Sequence, residues 1–153
     1  MSAQARYRRA TLLTMIDRHE FFAAKLQYET DASDVHAARK AGTDLVVVDV
    51  RSDEAWAQGR VPGAVHMHYS EIAERAPVEI PSDASVVVYC WSPGCNAGAK
   101  GALEFAALGY SVREMIGGFE YWVREGYPVE DHDGIHRRPI DALTGVPRIR
   151  TRP

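Results

Sequence analysis

The chain contains two cysteines, Cys90 and Cys95, and both lie in one run, Val86-Val87-Val88-Tyr89-Cys90-Trp91-Ser92-Pro93-Gly94-Cys95-Asn96. A β-branched stretch ends directly on Cys90, a compact loop of small and turn-forming residues follows, and an Ala-rich segment of helical character comes next. A thiol at the carboxyl end of a strand, facing the amino end of a helix, sits where backbone N–H groups and the helix dipole favour negative charge. That setting lowers a thiol pKa and makes the thiolate available as a nucleophile. Cys90 is therefore the candidate catalytic residue.

Trp91, Ser92, Pro93, Gly94, Cys95 and Asn96 form the candidate active-site and substrate-binding loop. None carries a charge, so backbone amides closing around the sulfur must stabilise its anion. Gly94 is expected to let the backbone approach closely and Pro93 to set one turn angle. Asn96 is a candidate helix cap, and Trp91 a flat wall shielding the sulfur from water. The dipole contributes roughly 0.3–1 kcal/mol and each N–H bond to an anion roughly 1.5–3 kcal/mol. Together these lower a thiol pKa by more than about one unit.

Two cysteines five positions apart close almost no chain, so their value is chemical rather than structural. Three readings of Cys95 stay open: a passive loop residue, a resolving thiol that attacks a persulfide or sulfenate on Cys90 to give a disulfide, or a metal co-ligand. The last needs further ligands. His66 and His68 alternate on a short strand and are better explained as edge positions, so no metal centre and no cofactor is expected. Asp49 and Arg51 end another strand and read as a pair that ties loops together. Arg51, Arg60 and Lys100 are the candidate rim contacts for an anionic donor.

The elements that must position this loop alternate in type. Asp44–Val50 is almost wholly apolar and suits a strand buried on both faces; Ser85–Tyr89 is a second such strand. Val112–Ile116 and Ala64–Met67 are further strands, and Lys25–Glu29 alternates like a short one. Helices are predicted from an Asp31 or Ser33 cap to Gly42, over Glu54–Gln58, over Glu71–Glu74, over Asn96–Leu108 and over Phe119–Val123. Ala76–Ser82, with two prolines, reads as a surface connection. Val61-Pro62-Gly63-Ala64 has the Pro-Gly order of a type II turn. Strand–helix alternation points to a three-layer α/β fold with a central parallel sheet flanked by helices. Ligands in such folds bind beyond the carboxyl ends of the strands, where Cys90 lies. The organisation is an accessory helix over 1–23, with Leu12 and Leu13 on its apolar side, a main domain over 24–130, and an extended tail over 131–153. The tail carries Arg148, Arg150 and Arg152.

Bulk properties bound the function. With 153 residues, 46% hydrophobic and 25% charged, the chain has an ordinary globular composition. A net charge of −3 and a pI near 6.1 argue against a nucleic-acid partner, which needs a basic excess. No stretch approaches the roughly 18 apolar residues of a membrane span, and Thr11–Ile16 is too short and interrupted for a secretory signal. A reducing cytoplasm, with Cys90 a free thiol, is the expected setting. The extensions at both ends are candidates to mediate a homodimer.

Three blocks together resemble a known family. Val47-Val48-Asp49-Val50-Arg51 with Glu54 and Gly59-Arg60-Val61-Pro62-Gly63-Ala64 form the first, and Val88-Tyr89-Cys90 with its loop the second. Gly109-Tyr110, Ile116-Gly117-Gly118, Trp122 and Gly126-Tyr127-Pro128-Val129 form the third. In this order and spacing they resemble rhodanese-like domains over about residues 30–130, in the form of a single-domain sulfurtransferase. The resemblance implies a five-stranded parallel sheet and a Cys90 that carries a persulfide. Sulfur would come from a donor such as thiosulfate or a persulfide and pass to a thiophilic acceptor such as cyanide, a small thiol or a protein thiol. Family members usually carry a basic residue five places after the cysteine; here that place holds Cys95. A dithiol redox protein or oxyanion reductase using Cys90 and Cys95, and a non-catalytic binding module, are the competing expectations.

Overall fold

The structure, a computed structural model, describes residues 16–145. Its elements run α1 (Arg18–Tyr28), β1 (Glu29–Thr30), α2 (Ala32–Lys40), β2 (Val46–Asp49), α3 (Asp53–Gln58) and β3 (Val65–His66). A 3-10 turn (Tyr69–Glu71) leads into α4 (Ile72–Glu79), followed by β4 (Ser85–Tyr89), α5 (Ala97–Ala107), β5 (Ser111–Met115) and α6 (Gly118–Arg124). A hairpin of β6 (Val129–Asp131) and β7 (Gly134–His136) follows.

Five strands form one sheet in the order β1-β5-β4-β2-β3, and every pairing in it is parallel. β4 is central, so Cys90 leaves the sheet at its middle. Alternation along β4 divides the core into two layers, because successive side chains point to opposite faces. Val86, Val88 and Cys90 join Val48, Val50, Ile72 and Phe105 on one face. Val87 and Tyr89 join Val47, Met115, Phe119 and Trp122 on the other. Helices α2 to α6 bury apolar residues on these layers, giving the predicted α/β architecture. The Val61–Ala64 turn also forms as expected: Ala64 N–H donates to the Val61 carbonyl at 3.1 Å, with Gly63 at φ +72°.

Several local expectations differ. Lys25–Tyr28 is helical rather than extended. Asp17 caps α1 by accepting from His19 N–H, the straight-chain residues favour helix, and only Glu29–Thr30 pairs with β5. The boundary placed at 23/24 thus falls inside α1. Pro77 lies within α4 and not in a surface connection. Ile72 and Ala76 are fully buried there, and Arg75 bridges Glu71 and Glu79 along the exposed side; apolar burial outweighs the proline's missing N–H. The segment after Asp131 begins with a hairpin, and its anchor Val129 is buried. An Arg124–Asp141 ion pair fastens the following turn to α6. Leu12, Leu13, Arg148, Arg150 and Arg152 lie outside the described residues.

Candidate active site

Cys90 follows the last residue of β4 and is 4% exposed. Its Sγ is bonded to that of Cys95 at 2.11 Å, with the Cα atoms 6.4 Å apart. The free thiol expected for Cys90 is thus paired. Ser92-Pro93-Gly94-Cys95 makes the turn that allows this, with Cys95 N–H donating to the Ser92 carbonyl at 3.0 Å. Cys95 is half-buried and more exposed than Cys90.

The loop is held from beneath by α6. Phe119 N–H donates to the Cys90 carbonyl at 2.8 Å and Glu120 N–H to the Trp91 carbonyl at 2.7 Å. These are first-turn amides of a helix, which otherwise lack acceptors. Gly118, at φ +61°, makes the approach possible: a Cβ there would lie 2.6 Å from the Cys90 carbonyl oxygen. Gly94 has no such duty. Its φ is not positive, and a Cβ would meet only the Ser92 hydroxyl at 3.9 Å. Asn96 precedes α5 but makes no side-chain cap, contrary to expectation, since its backbone (φ −97°, ψ 4°) is already turned toward helix rather than extended.

Below the loop lies a polar knot. Arg51 donates to both Asp49 carboxylate oxygens, Nη2 to Oδ2 at 2.6 Å and Nε to Oδ1 at 2.9 Å, and to the Gly59 carbonyl at 2.7 Å. The Tyr89 hydroxyl donates to Asp49 Oδ2 at 2.6 Å and accepts from Val61 N–H at 3.1 Å. Burial, then the Asp49 charge, push that hydroxyl's pKa well up. The Arg51 guanidinium lies 4.4 Å from the Trp91 ring centroid and 4.3 Å from that of Phe119. Arg51 therefore organises the loop from inside. It is not at the rim, because neither partner's side chain is exposed.

The other candidate rim contacts are also engaged elsewhere. Arg60 pairs with Glu130 at 2.8 Å and covers the Trp56 ring; Lys100 sits 5.2 Å over the Tyr69 ring. His66 is hydrogen-bonded to the Arg51 carbonyl and His68 to Ser70. A cavity of about 530 Å³ opens on the cysteines, with Cys90, Ser92, Pro93 and Cys95 in its wall. Arg51, Arg60, Lys100, Trp91, Gly94 and Asn96 are not in that wall. Trp91 lines instead a second cleft of about 740 Å³ beside Phe119 and the hairpin, with the Arg51 guanidinium against its ring. The flat wall expected from Trp91 is not part of the cavity that opens on the cysteines.

The cysteine cavity is completed by residues that lie outside the sequence motifs. Lys25 and Glu29 come from the α1–β1 junction, Asp31 from the next turn, Glu114 from β5, and Tyr121 and Glu125 from α6 and its end. Glu29 and Glu114 stand opposite each other in the β1–β5 register. Burial, then Glu29, raise the Glu114 pKa, against Lys25. Burial, then Asp31, raise that of Glu125, against a hydrogen bond with Tyr127. No sequence signal marks these acids, because they come from separate segments and only the fold brings them together.

A five-stranded parallel sheet with a cysteine at the end of its middle strand, in a loop clasped by the next helix but one, defines a three-layer α/β domain. The rhodanese-like domain pattern matches residues 31–125, and the chain belongs to that family. It is similar to the thiosulfate sulfurtransferase GlpE of Pseudomonas fluorescens, 34% identical over 100 residues, covering 65% of this chain and 88% of that one. It is also similar to an HTH-type transcriptional regulator, Rv0324, of Mycobacterium tuberculosis, 30% identical over 93 residues. That match spans 61% of this chain but only 40% of the regulator. Among solved structures, the BH2092 protein of Bacillus halodurans superposes with a TM-score of 0.70 at 38% identity, covering 76% of this chain and 85% of that one. Among the described residues no helix is long and apolar enough to cross a membrane.

Proposed function

We propose that this chain is a sulfurtransferase that carries sulfane sulfur on Cys90. The Cys90 thiolate attacks the outer sulfur of a donor, forming Cys90–S–S⁻ and releasing sulfite from thiosulfate, or a thiolate from a persulfide. An acceptor then takes the outer sulfur, cyanide leaving as thiocyanate or a thiol as its persulfide, and the Cys90 thiolate returns. The observation that carries this reading is the position of Cys90 at the carboxyl end of the central strand, on an open cavity, in a family whose relatives include sulfurtransferases.

The Cys90–Cys95 bond supports a second step. With both sulfurs within bonding reach, the Cys95 thiolate attacks the inner sulfur of the Cys90 persulfide. This gives the disulfide and hydrosulfide, and an external dithiol must then reduce the pair before the next cycle. The same pair would serve a dithiol redox cycle without sulfur transfer.

Intact mass after reduction and incubation with a sulfane donor tests the proposal. A gain of about 32 Da, one sulfur atom, is expected and is lost in Cys90→Ser. In Cys95→Ser the persulfide accumulates. If Cys95→Ser by itself abolishes loading, direct carriage on Cys90 is wrong and the dithiol cycle stands. Absence of any mass gain in Cys95→Ser, together with no disulfide formed and no hydrosulfide released by reduced wild-type protein, favours a binding module.

A further inference from the structure

We infer that the species exchanging sulfur with Cys90 is cationic: a cysteine thiol or persulfide in a peptide segment with basic residues beside it, in preference to an anion such as thiosulfate. This inference rests on the reading of Cys90 as a sulfur carrier.

The argument begins with charge around the sulfur. Glu29, Asp31, Glu114 and Glu125 share the cavity wall with Cys90 and Cys95, against a single ammonium, Lys25. Lys25 is itself committed to Glu29, 2.9 Å away. The cations that could have balanced the site are turned elsewhere: Arg51 to Asp49, Arg60 to Glu130 and Lys100 to Tyr69. The loop supplies no charge of its own. The carboxylates come from separate segments, so the acidic wall is a property of the assembled cavity. Burial first, and then a neighbouring carboxylate (Glu29 for Glu114, Asp31 for Glu125), raise the pKa of both groups.

Two features point to a peptide rather than a small cation. The cavity, at about 530 Å³, falls in the size range of sites for ligands much larger than thiosulfate. Tyr121 presents a partly exposed ring among the acids, a surface suited to the stem and head of lysine or arginine. Each uncompensated carboxylate about 8 Å from a passing unit charge changes its local concentration roughly twofold in water. Several acting together disfavour a dianion and gather a cation.

The test compares three donors on reduced protein: thiosulfate, a short peptide with a cysteine persulfide flanked by lysines, and the same peptide flanked by glutamates. Cys90 loading is followed by intact mass in Cys95→Ser, which prevents discharge. The lysine-flanked donor is expected to load about tenfold or more faster than the glutamate-flanked one at low salt, the ratio shrinking at about 0.5 M salt. Glu29→Gln combined with Glu125→Gln should cut the ratio severalfold. Equal rates, or faster loading by either anionic donor, would overturn the inference while leaving sulfur carriage intact. If no donor loads Cys90, sulfur carriage fails and this inference falls with it. A second measurement reads the charge alone: a trimethylammonium methanethiosulfonate should modify the Cys90 thiol faster than its sulfonate counterpart, and equal rates would sink the electrostatic claim.

Discussion

Gly118 lies directly against the peptide unit that follows Cys90, so close that a Cβ would stand 2.6 Å from the Cys90 carbonyl oxygen and 2.8 Å from the Trp91 carbonyl carbon. Two requirements meet there. The backbone must take a left-handed φ of +61°, and the next amide, Phe119 N–H, must reach the same carbonyl. The loop bearing the sulfur is thus seated on the start of α6.

Gly118→Ala is expected to destabilise the fold by about 1–2 kcal/mol from left-handed strain alone, with more from the backbone contact. It should also slow Cys90 chemistry even where the protein remains folded. Gly94→Ala should stay within about 0.5 kcal/mol of wild type, because that glycine is neither left-handed nor crowded. Urea unfolding of both variants checks the contrast; equal losses would mean that α6 does not support the loop as described.

Arg51→Met should cost about 3–5 kcal/mol in folding free energy, because it leaves the Asp49 carboxylate buried and uncompensated. A residue at the rim would behave oppositely, changing the donor's apparent affinity with little effect on stability. Denaturant midpoints beside loading kinetics separate the two outcomes.

Glu114 has a folded pKa raised above its ordinary value of 4.5, by burial first and the facing Glu29 second, with Lys25 opposing. Such a group favours folding while protonated, and that contribution is lost as pH rises through the folded value. Glu114→Gln is therefore expected to raise the thermal midpoint at pH 7 and leave it unchanged near pH 4. A lower midpoint at pH 7 would contradict the assignment.

His36 shows the opposite shift. It stacks on Tyr127 with ring centroids 4.4 Å apart. Burial first, then Arg137, Lys40 and Arg39, lower its pKa from 6.5. The unfolded chain then binds the proton more readily, so stability should rise with pH through the window just below 6.5 and level off above it. A flat urea midpoint across that window, or no difference between wild type and His36→Gln, would show that the fold does not lower the ring's pKa.

Elements are legible in the sequence where a local rule and the tertiary environment agree. Val46–Asp49 and Ser85–Tyr89 are apolar enough to be strands only between two helical layers. Cys90 was legible because a strand, a turn and a helix follow one another in order around it. The same local logic failed for Lys25–Tyr28, whose alternation is also compatible with an exposed helix, and for Pro77, whose helix is held by a buried face. Nor does local sequence show that the Trp91 ring meets Arg51, a residue distant in the chain but against its ring.

The order of strands, helices and turns, the place of the sulfur at the end of a buried strand, and the family follow from the amino-acid sequence, because hydrophobic period, turn residues and motif spacing are local properties. Which charges face that sulfur was decided only by tertiary structure. Sheet order sets β1 beside β5 and so brings Glu29 to Glu114, while burial withdraws Arg51 from solvent to Asp49. Charge acts through distance in space, and that distance exists only once the sheet has closed.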